Sequence, residues 1–240
     1  MNFLNKTVVV TGGTRGIGAA VVRCFLEQGA HVIYTGRSSS DHLHQGFGNV
    51  TYLQLDLEDN ASIDAFIERL KDQGEVDVLV NNAGINIINK LDQVSDTDFD
   101  RILNVNLRGP FKLCRSIAGL MGENGGRIVN IASIWSVVTR MGRTAYIISK
   151  CALDGLTRGA ATDLAGQNIL VNTVSPGFCD TELTRKSLSL AEIEEMEHKI
   201  PLGRLAKPYE IARLVEFLCS DSNTYITGQN IVIDGGFTNV

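Results

Sequence analysis

Residues 7–18 read TVVVTGGTRGIG, a β-branched run that leads directly into a turn containing four glycines. Glycine permits the positive φ angles of a tight turn, and the N-terminus of a following helix offers free N–H groups to an anion. The pattern therefore indicates a pyrophosphate site, although glycines at 12, 16 and 18 depart from the commonest dinucleotide spacing, G-x-G-x-x-G. A glycine-rich turn between strand and helix that binds no ligand is the alternative.

Short runs rich in Val and Ile recur along the chain and alternate with segments whose apolar residues stand three and four apart. This alternation predicts an α/β fold, a Rossmann-type doubly wound parallel seven-stranded sheet with helices on both faces. A ligand is expected beyond the C-terminal strand ends, where such sheets leave a crevice. The predicted strands are Thr7–Thr11, Val32–Thr35, Thr51–Leu55, Val76–Val80, Arg127–Ile131, Ile169–Val174 and Asn230–Ile233.

The composition is that of an ordinary globular protein, with 240 residues of which 44% are hydrophobic and 20% charged. No repeat or proline-rich linker marks a boundary, so we expect one domain over residues 1–240. The net charge is −5 and no run of Lys and Arg forms a stripe suited to phosphate backbones, so we expect no nucleic-acid partner. Five scattered cysteines suit a reducing cytoplasm, and no stretch approaches the length of a membrane span, so we expect a cytoplasmic protein with no membrane partner.

The end of the second predicted strand carries Gly36, Arg37 and Ser38, and no carboxylate. A carboxylate there accepts from the ribose 2′-hydroxyl of NAD(H), whereas an arginine receives the 2′-phosphate of NADP(H). The sequence thus favours NADP(H), with NAD(H) as the weaker candidate, and predicts that Gly36→Asp together with Arg37→Ala reverses the preference. A solvated position for Arg37 in a loop is the alternative.

Tyr146 and Lys150 stand four apart on a predicted helix, so both project from one face. An ammonium beside a phenol favours phenolate, which suits acid–base work near neutral pH. Thirteen residues upstream of Tyr146, Ser133 places a hydroxyl at the end of the fifth predicted strand. A solvated pair on a helix face is the alternative for the Tyr–Lys spacing alone.

Together these features resemble the short-chain dehydrogenase/reductase family, from the first strand to nearly the last residue. Further motifs carry the resemblance: NNAG at 81–84, NVNL at 104–107, PG at 176–177 and DGG at 234–236. The resemblance implies hydride transfer between a nicotinamide and a ketone or secondary alcohol. By it, Tyr146 is the general acid/base, Ser133 polarises the substrate oxygen, and Lys150 holds the nicotinamide ribose and lowers the pKa of Tyr146. Asn106 anchors a water that leads protons towards Lys150.

The resemblance also implies a set of residues that bind the cofactor. Asn82 and Gly84 shape its floor, Asp56 meets the adenine amino group, and Thr181 contacts it near the carboxamide and phosphates. The full implied set is Gly12, Thr14, Arg15, Gly16, Ile17, Gly18, Arg37, Ser38, Asp56, Leu57, Asn82, Ala83, Gly84, Tyr146, Lys150, Pro176, Gly177 and Thr181.

Within the family, PLGRL at 201–205 and YITG at 225–228 resemble 3-oxoacyl-carrier-protein reductases, whose substrate is an acyl thioester. Those reductases dock an acidic carrier through basic residues near the active-site mouth, and the matching positions here are Asn124 and Gln167. Sugars, polyols and other small secondary alcohols therefore remain an alternative substrate class, and a non-catalytic NADP(H)-binding regulator a further one. The stretch 180–201 is predicted to form the substrate lid.

The resemblance implies a homotetramer, with a dimer as the alternative, built on the helices that carry Asn106 and Tyr146 and on the last helix and strand. We predict no metal site, because His42 and His44 lie in a loop without a further clustered ligand and are expected to be surface imidazoles. The apolar residues expected to supply the interfaces are Leu107, Phe111, Leu113, Leu156, Leu214, Val215, Phe217 and Leu218.

Overall fold

Seven parallel strands form one sheet in the computed structural model, which describes residues 2–41, 43–44, 46–187 and 189–240. The strands are β1 (Thr7–Val10), β2 (His31–Gly36), β3 (Val50–Gln54), β4 (Val78–Asn81), β5 (Gly126–Ile131), β6 (Ile169–Pro176) and β7 (Asn230–Ile233). Their order across the sheet is β3-β2-β1-β4-β5-β6-β7. The predicted fold class and all seven predicted strands are confirmed. The direction of winding reverses between β1 and β4, so the expected crevice opens at their carboxyl ends.

Most strand boundaries lie within one residue of the predicted ones, and two differ by two residues. β4 begins at Val78, two residues late, and the Asp77 carboxylate before it accepts from Thr7 N at 2.8 Å and from Lys6 Nζ at 2.8 Å. β6 extends to Pro176, beyond the predicted end, because Ser175 and Pro176 pair with β7. The pairing of β6 with β7 joins distant segments, so local composition does not reveal where β6 ends.

Helices cover both faces of the sheet. Alternate residues of β1 show the two layers, since Val8 and Val10 pack with α1 and α8 whereas Val9 packs with α2 and α4. Each layer is built from fully buried aliphatic and aromatic side chains, as expected for a sheet buried on both faces. The helices are α1 (Gly16–Glu27), α2 (Asn60–Lys71), α3 (Asp96–Leu103), α4 (Gly109–Ala118), α5 (Thr144–Leu164), α6 (Glu182–Ser187), α7 (Leu190–Lys199) and α8 (Pro208–Cys219).

A π-helical turn, Asn104–Arg108, joins α3 to α4, so that the three segments form one continuous helix. Such a turn holds about one residue more than an α-helical turn and occurs often at functional sites. Asn106, at its centre, is completely buried and faces the sheet, whereas Phe111 in the following helix is 46% exposed. One continuous helix therefore carries both the buried amide of Asn106 and the exposed ring of Phe111.

The apolar residues expected at subunit interfaces fall into two groups. Leu113, Val215 and Leu218 are almost fully buried within the subunit core, so the prediction that they supply an interface is wrong for these three. The remaining five, Leu107, Phe111, Leu156, Leu214 and Phe217, are partly exposed or exposed.

None of the helices in the described ranges is both long enough and apolar enough to cross a membrane.

Candidate active site

The conformation of the glycine turn after β1 depends on positions that favour glycine, through a positive φ angle or through a close contact with a neighbouring residue. Gly12 and Gly16 have φ angles of +66° and +56°, in the left-handed region that favours glycine. A Cβ at Gly18 would overlap the carbonyl oxygen of Gly12 and Nδ2 of Asn82. Since the first turn of α1 is held this close to the strand end, its N-terminus is directed at the crevice.

Asn82 braces the turn from the neighbouring strand end. Its Nδ2 donates to the carbonyl oxygens of Thr11 and Gly12, at 2.9 and 3.1 Å. In return, Thr11 Oγ1 accepts from the backbone N–H groups of Asn82 and Ala83, each at 3.0 Å. Thr35 Oγ1 also accepts from Gly12 N, at 3.3 Å. The sequence motif NNAG thus acts here as a support for the glycine turn, and Thr11 and Thr35 are supports that sequence reasoning missed.

His44 is a second missed support, and the expectation of a surface imidazole is wrong for it. The residue is only 6% exposed, its ring lies edge-on to Tyr34 at 4.9 Å between centroids, and its Nε2 lies 3.2 Å from the carbonyl oxygen of Gly13. No periodic signal surrounds it in the loop after β2, so the sequence offers no way to find this contact. His42 lies outside the described residues.

The turn has the features that a pyrophosphate requires. The N-cap residue of α1, Arg15, makes no side-chain capping bond, so the first N–H groups of the helix remain available within the described part of the chain. Thr181 adjoins the same place, because a Cβ at Gly16 would stand 3.5 Å from Thr181 Cγ2. Thr14 and Ile17 are partly exposed beside it. The predicted phosphate-binding residues are thus brought together, and a dinucleotide fits this cradle.

The predicted 2′-phosphate site lies at the end of β2. Arg37 and Ser38 are exposed there, and the Arg37 side chain forms no ion pair with any described residue. A Cβ at Gly36 would stand 2.7 Å from Thr14 Cγ2 and 3.0 Å from Tyr52 Oη. An aspartate at position 36 would therefore require the side chains of Thr14 and Tyr52 to move, and the reversal through Gly36→Asp with Arg37→Ala stays a prediction.

The adenine side of the crevice follows β3. Asp56 accepts from the backbone N–H of Glu58 at 2.9 Å through Oδ1, which leaves Oδ2 without a described partner. Leu57 is buried and packs against Gly109, where a Cβ would stand 2.9 Å from Leu57 Cδ2. Asp56 does not cap α2, since Asp59 accepts from Ala61 N there at 2.9 Å. Its free oxygen is therefore available to a ligand.

Ser133, Tyr146 and Lys150 meet beyond the end of β5. Ser133 lies two residues after the end of the strand, and its Oγ accepts from Trp135 N at 3.3 Å. Tyr146 lies in the first turn of α5, and Lys150 lies one turn later with its Nζ 5.6 Å from the centroid of the Tyr146 ring. Lys150 is 3% exposed and donates to the carbonyl oxygen of Ile131 at 2.8 Å.

Burial dominates the ionisation of this group. Desolvation raises the pKa of Tyr146 to about 12, and the Ser133 hydroxyl and the charge of Arg143 act against that rise. Desolvation lowers the pKa of Lys150 to about 8. Burial is the largest influence on the pKa of Tyr146 in the protein without ligands, and the expected lowering of that pKa by Lys150 stays a prediction. The phenol is therefore protonated at neutral pH, as a proton donor must be.

Asn106 ties three segments together beneath this group. Its Nδ2 donates to Ile85 O at 2.9 Å and to Ser149 Oγ at 3.0 Å, and its Oδ1 accepts from Ile85 N at 2.8 Å. Ser149 Oγ in turn donates to Tyr146 O at 2.7 Å. A Cβ at Gly84 would stand 3.3 Å from Asn106 Oδ1 and 3.5 Å from Lys150 Nζ, so a side chain there would require the Asn106 amide to shift slightly. Both N–H groups of the amide are occupied, so its side chain positions the segment after β4.

A polar triangle supports the strand end that carries Ser133. Ser136 Oγ donates to Ser133 O at 2.8 Å and lies 3.1 Å from Ser175 Oγ, which donates to Asn230 Oδ1 at 2.7 Å. Asn230 Nδ2 closes the triangle at 3.1 Å from Ser136 Oγ. Pro176 ends β6 beside it, and Gly177 packs against Asp234, where a Cβ would stand 2.7 Å from Asp234 Cβ.

The two positions matched to carrier docking lie at the other end of the sheet. Asn124 precedes β5 and Gln167 precedes β6, and Asn168 Nδ2 donates to Asn124 O at 3.0 Å. Ser133 follows the opposite end of β5, about 20 Å away at the rise of a strand. Within one subunit these positions are therefore not near the mouth of the active site, in contrast to the expectation.

Among the described residues, no group of three or more His, Cys, Asp or Glu side chains is placed to hold a metal ion.

Comparison with known proteins agrees with this geometry. Residues 12–238 match the family described as enoyl-(acyl carrier protein) reductase. A 3-oxoacyl-(acyl-carrier-protein) reductase of Thermotoga maritima is 38% identical, over 98% of this chain and 99% of that protein. A structure described as an NAD(P)-dependent gluconate 5-dehydrogenase of Beutenbergia cavernae, with bound NADP, superposes with a TM-score of 0.94 at 35% identity, over 100% of this chain and 99% of that one.

A 4-hydroxyisoleucine dehydrogenase complexed with NADH gives a TM-score of 0.91 at 35% identity, over 98% of this chain and 100% of that chain. A variant of a Serratia marcescens short-chain dehydrogenase/reductase also superposes with a TM-score of 0.91 at 35% identity, over 99% of this chain and 100% of that chain. With these relatives spanning its whole length, the chain belongs to the short-chain dehydrogenase/reductase family.

Proposed function

We propose that this protein is an NADP(H)-dependent reductase that transfers a hydride to the ketone of a 3-oxoacyl thioester or a related oxo compound. One observation carries the proposal: Ser133, Tyr146 and Lys150 meet at the carboxyl edge of the sheet, the same edge that carries the glycine turn. The similarity to 3-oxoacyl-(acyl-carrier-protein) reductases over nearly the whole chain supports the substrate class. The non-catalytic alternative is disfavoured because all three reactive side chains are present.

The chain's own residues supply the proton and the orientation. NADPH, when bound, supplies the hydride that attacks the carbonyl carbon. Tyr146, protonated at neutral pH, donates its hydroxyl proton to the carbonyl oxygen, and the Ser133 hydroxyl donates a hydrogen bond to the same oxygen. Lys150, whose ammonium lies one helical turn from Tyr146, stabilises the phenolate that remains until it is reprotonated. The ketone thereby becomes a secondary alcohol.

Residues of the glycine turn, of the segments after β2 and β3, and of the segment after β6 would hold the cofactor. The N-terminus of α1 with Thr14, Gly16 and Thr181 would receive the pyrophosphate, and Asp56 would accept from the adenine amino group through its free oxygen. Arg37 would receive the 2′-phosphate at the end of β2. The structure of a related protein with NADP and another with NADPH support NADP(H), while the related complex with NADH keeps NAD(H) as the second candidate.

The cofactor preference is expected to depend on Arg37. Arg37→Asp should lower kcat/KM for NADPH about 10- to 100-fold and raise it for NADH, because a charge-assisted bond to the phosphate is replaced by repulsion and by an acceptor for the ribose hydroxyl. The position is exposed, so the fold should tolerate the change. The measurement is kcat/KM for each cofactor at fixed ionic strength. Arg69→Ala, at another exposed arginine, is the control, and equal use of both cofactors by the wild type contradicts the assignment.

A second substrate class is favoured by a specific observation. The positions matched to carrier docking are uncharged and lie about 20 Å from Ser133 along β5. Two of the similar structures are described as dehydrogenases of gluconate and of 4-hydroxyisoleucine, which are hydroxy acids. Small secondary alcohols and their ketones are therefore the alternative to acyl thioesters.

Turnover separates these classes. NADPH oxidation is followed with a 3-oxoacyl thioester of N-acetylcysteamine, the matching 2-enoyl thioester, a diketone and a ketose. We expect reduction of the 3-oxoacyl thioester and none of the enoyl thioester, since Tyr146 and Ser133 are arranged to polarise an oxygen. Reduction of the ketose alone favours the second class, and no oxidation of NADPH with any ketone contradicts the proposed function.

We further propose that the whole chain works as one domain, with residues 180–201 as the lid over the substrate. Helices α6 and α7 occupy this stretch, and its base is fixed by a Cys179–Ala206 bridge and by an ion pair of 2.6 Å between Arg185 and Asp180. The stretch begins beside the glycine turn, since a Cβ at Gly16 would stand 3.5 Å from Thr181 Cγ2. Closure of the lid would exclude water from the hydride path.

The reduced state of the five cysteines and the use of NADPH support a cytoplasmic location.

The protein is expected to form a tetramer. A groove of about 540 Å³ on the outer face of α3, α4 and α5 is lined by Leu103, Leu107, Phe111 and Leu156, and the edge strand β7 leaves Ile231 and its neighbours half-buried. Sedimentation equilibrium at micromolar concentration should give about four times the subunit mass, and Phe111→Glu should shift it towards smaller species, because the charge would be buried. Leu4→Glu, at an exposed apolar residue elsewhere, is the control. A wild-type monomer contradicts the expectation.

A further inference from the structure

The loop after β2 is bonded to side chains of the neighbouring strand. β2 and β3 pair in parallel as far as Gly36, which lies opposite Gln54. Beyond that point, Gln54 Nε2 donates to the carbonyl oxygen of Arg37 at 2.8 Å. Tyr52 Oη donates to the next carbonyl oxygen, that of Ser38, at 2.6 Å. Two side chains of β3 thus continue the bonding between the strands after the backbone pairing has ended.

The ring of Tyr52 is itself packed against a fixed neighbour. Tyr52 and Gln54 stand two apart on β3, so both project from the same face of the sheet. On that face the ring of Tyr34 lies 5.2 Å from the ring of Tyr52 between centroids, and Tyr34 is only 1% exposed. Tyr34 Oη donates to Asp41 Oδ1 at 2.7 Å, farther along the same loop. Together with the two carbonyl bonds, this contact attaches the loop at three points.

The Tyr52 hydroxyl also lies beside the glycine turn. A Cβ at Gly36 would stand 3.0 Å from Tyr52 Oη and 2.7 Å from Thr14 Cγ2, so both atoms closely approach the same point at the strand end. Burial and then the charge of Asp41 raise the pKa of Tyr52, so its hydroxyl keeps the proton that it donates. The bonds from β3 therefore fix the start of the loop relative to the pyrophosphate cradle.

The side chain of Arg37 has no such attachment. It is exposed and forms no ion pair with any described residue, so only the backbone of Arg37 is held. The position of that backbone determines which points the guanidinium can reach. A loop that is fixed before a ligand arrives loses less freedom on binding, and the affinity for the ligand is higher for that reason.

We propose that Tyr52 and Gln54 are positioning residues for the 2′-phosphate of NADP(H), because they hold the backbone from which Arg37 extends. The inference rests on the proposed use of NADP(H) and adds two residues of β3 to those that determine the choice of cofactor. Their donors are directed at the carbonyls of the loop, so they act through Arg37 and Ser38 and not on the phosphate itself. NAD(H) carries a hydroxyl in place of this phosphate, so its binding should depend little on Tyr52 and Gln54.

A matched pair of nucleotides tests the assignment without turnover. Adenosine 2′,5′-bisphosphate carries the 2′-phosphate, and adenosine 5′-monophosphate lacks it. Dissociation constants for both are measured by calorimetry, at fixed ionic strength, for the wild type, Tyr52→Phe, Gln54→Met and Arg37→Ala. Tyr52→Phe removes only the hydroxyl, and Gln54→Met keeps an unbranched side chain without its donor. Tyr225→Phe and Gln73→Met, at exposed residues elsewhere, are the controls.

The two β3 variants are expected to lose affinity selectively. Each should weaken binding of the bisphosphate about 2- to 10-fold, the effect of one lost hydrogen bond, and should change binding of the monophosphate less than twofold. Arg37→Ala should weaken binding of the bisphosphate about tenfold or more. In the Arg37→Ala background the effect of Tyr52→Phe should become smaller, because the two residues act in sequence on one contact. Both controls should bind as the wild type does.

The outcomes separate this inference from the proposed cofactor. Loss of bisphosphate affinity in Arg37→Ala, with wild-type affinity in both β3 variants, overturns the role of Tyr52 and Gln54 and leaves the NADP(H) assignment in place. Equal weakening of both nucleotides also overturns it, because a merely structural change affects both alike. An undiminished effect of Tyr52→Phe in the Arg37→Ala background has the same meaning. If Arg37→Ala binds both nucleotides as the wild type does, the 2′-phosphate site itself is wrong, and the inference fails with it.

Discussion

Tyr146→Phe is expected to lower kcat for ketone reduction by about 10²- to 10⁴-fold, the range lost when a positioned general acid is removed. The phenylalanine ring fills the same volume, so packing and the neighbouring bond of Ser149 to the backbone should persist. The dissociation constant of NADPH should therefore change by no more than a few fold, because the cofactor contacts lie mainly in the glycine turn. The measurements are single-turnover rates and a fluorescence titration with NADPH.

Tyr225→Phe provides the matched control, since this tyrosine is 96% exposed and far along the chain from the site. It should keep wild-type kcat and NADPH affinity. Wild-type turnover in Tyr146→Phe would show that another group donates the proton. A large loss of NADPH binding in that variant would instead assign Tyr146 a cofactor contact that dominates over the proton transfer.

Gly18→Ala is expected to disrupt the phosphate site. Its Cβ would overlap the backbone oxygen of Gly12 and the amide of Asn82, so the strand end and the helix must move apart. Overpacking of this kind costs about 1–3 kcal/mol, and each kcal/mol lowers Tm by roughly 2–4 °C in a chain of this size. NADPH affinity should fall at least about tenfold as the N–H groups of α1 lose their alignment.

Thermal unfolding with and without NADPH measures both effects. Gly48→Ala is the control, because a Cβ at Gly48 meets nothing within 4 Å. It should leave Tm and the increase produced by NADPH close to the wild-type values. A Gly18→Ala protein with the wild-type Tm and the wild-type response to NADPH would mean that the turn has more freedom than its contacts indicate.

The sequence predicted those parts of the molecule whose causes are local. The β-branched runs and the spacing of Val21 and Phe25 reflect burial on a sheet, and both residues lie fully in the core. Candidate positions such as Ser133 and Lys150 follow from motifs at strand and helix ends. The structure brings these side chains together at one edge of the sheet, while their roles in catalysis stay predictions.

What the sequence could not predict depends on contacts between distant segments. His44 supports Gly13 across a gap of 31 positions, and the loop around it has no periodic pattern. The space at Gly36 is limited by the side chains of Thr14 and Tyr52, a packing constraint on position 36 that a sequence motif does not reveal. The pKa of Tyr146 depends on how much protein surrounds the phenol, which composition does not reveal.

The π-helical turn at 104–108 resets the helical phase between α3 and α4. An α-helix advances about 100° per residue, so one residue more in a turn rotates everything after it by that angle relative to everything before it. Asn106 can therefore face Ile85 while Phe111 faces outward. Deleting one residue from this turn would restore a uniform helix and rotate one of the two faces away from its place. The directions of the buried polar groups and of the outward apolar groups are thus determined separately along one continuous helix. Substitutions in α4 can therefore change the outer surface without rotating Asn106.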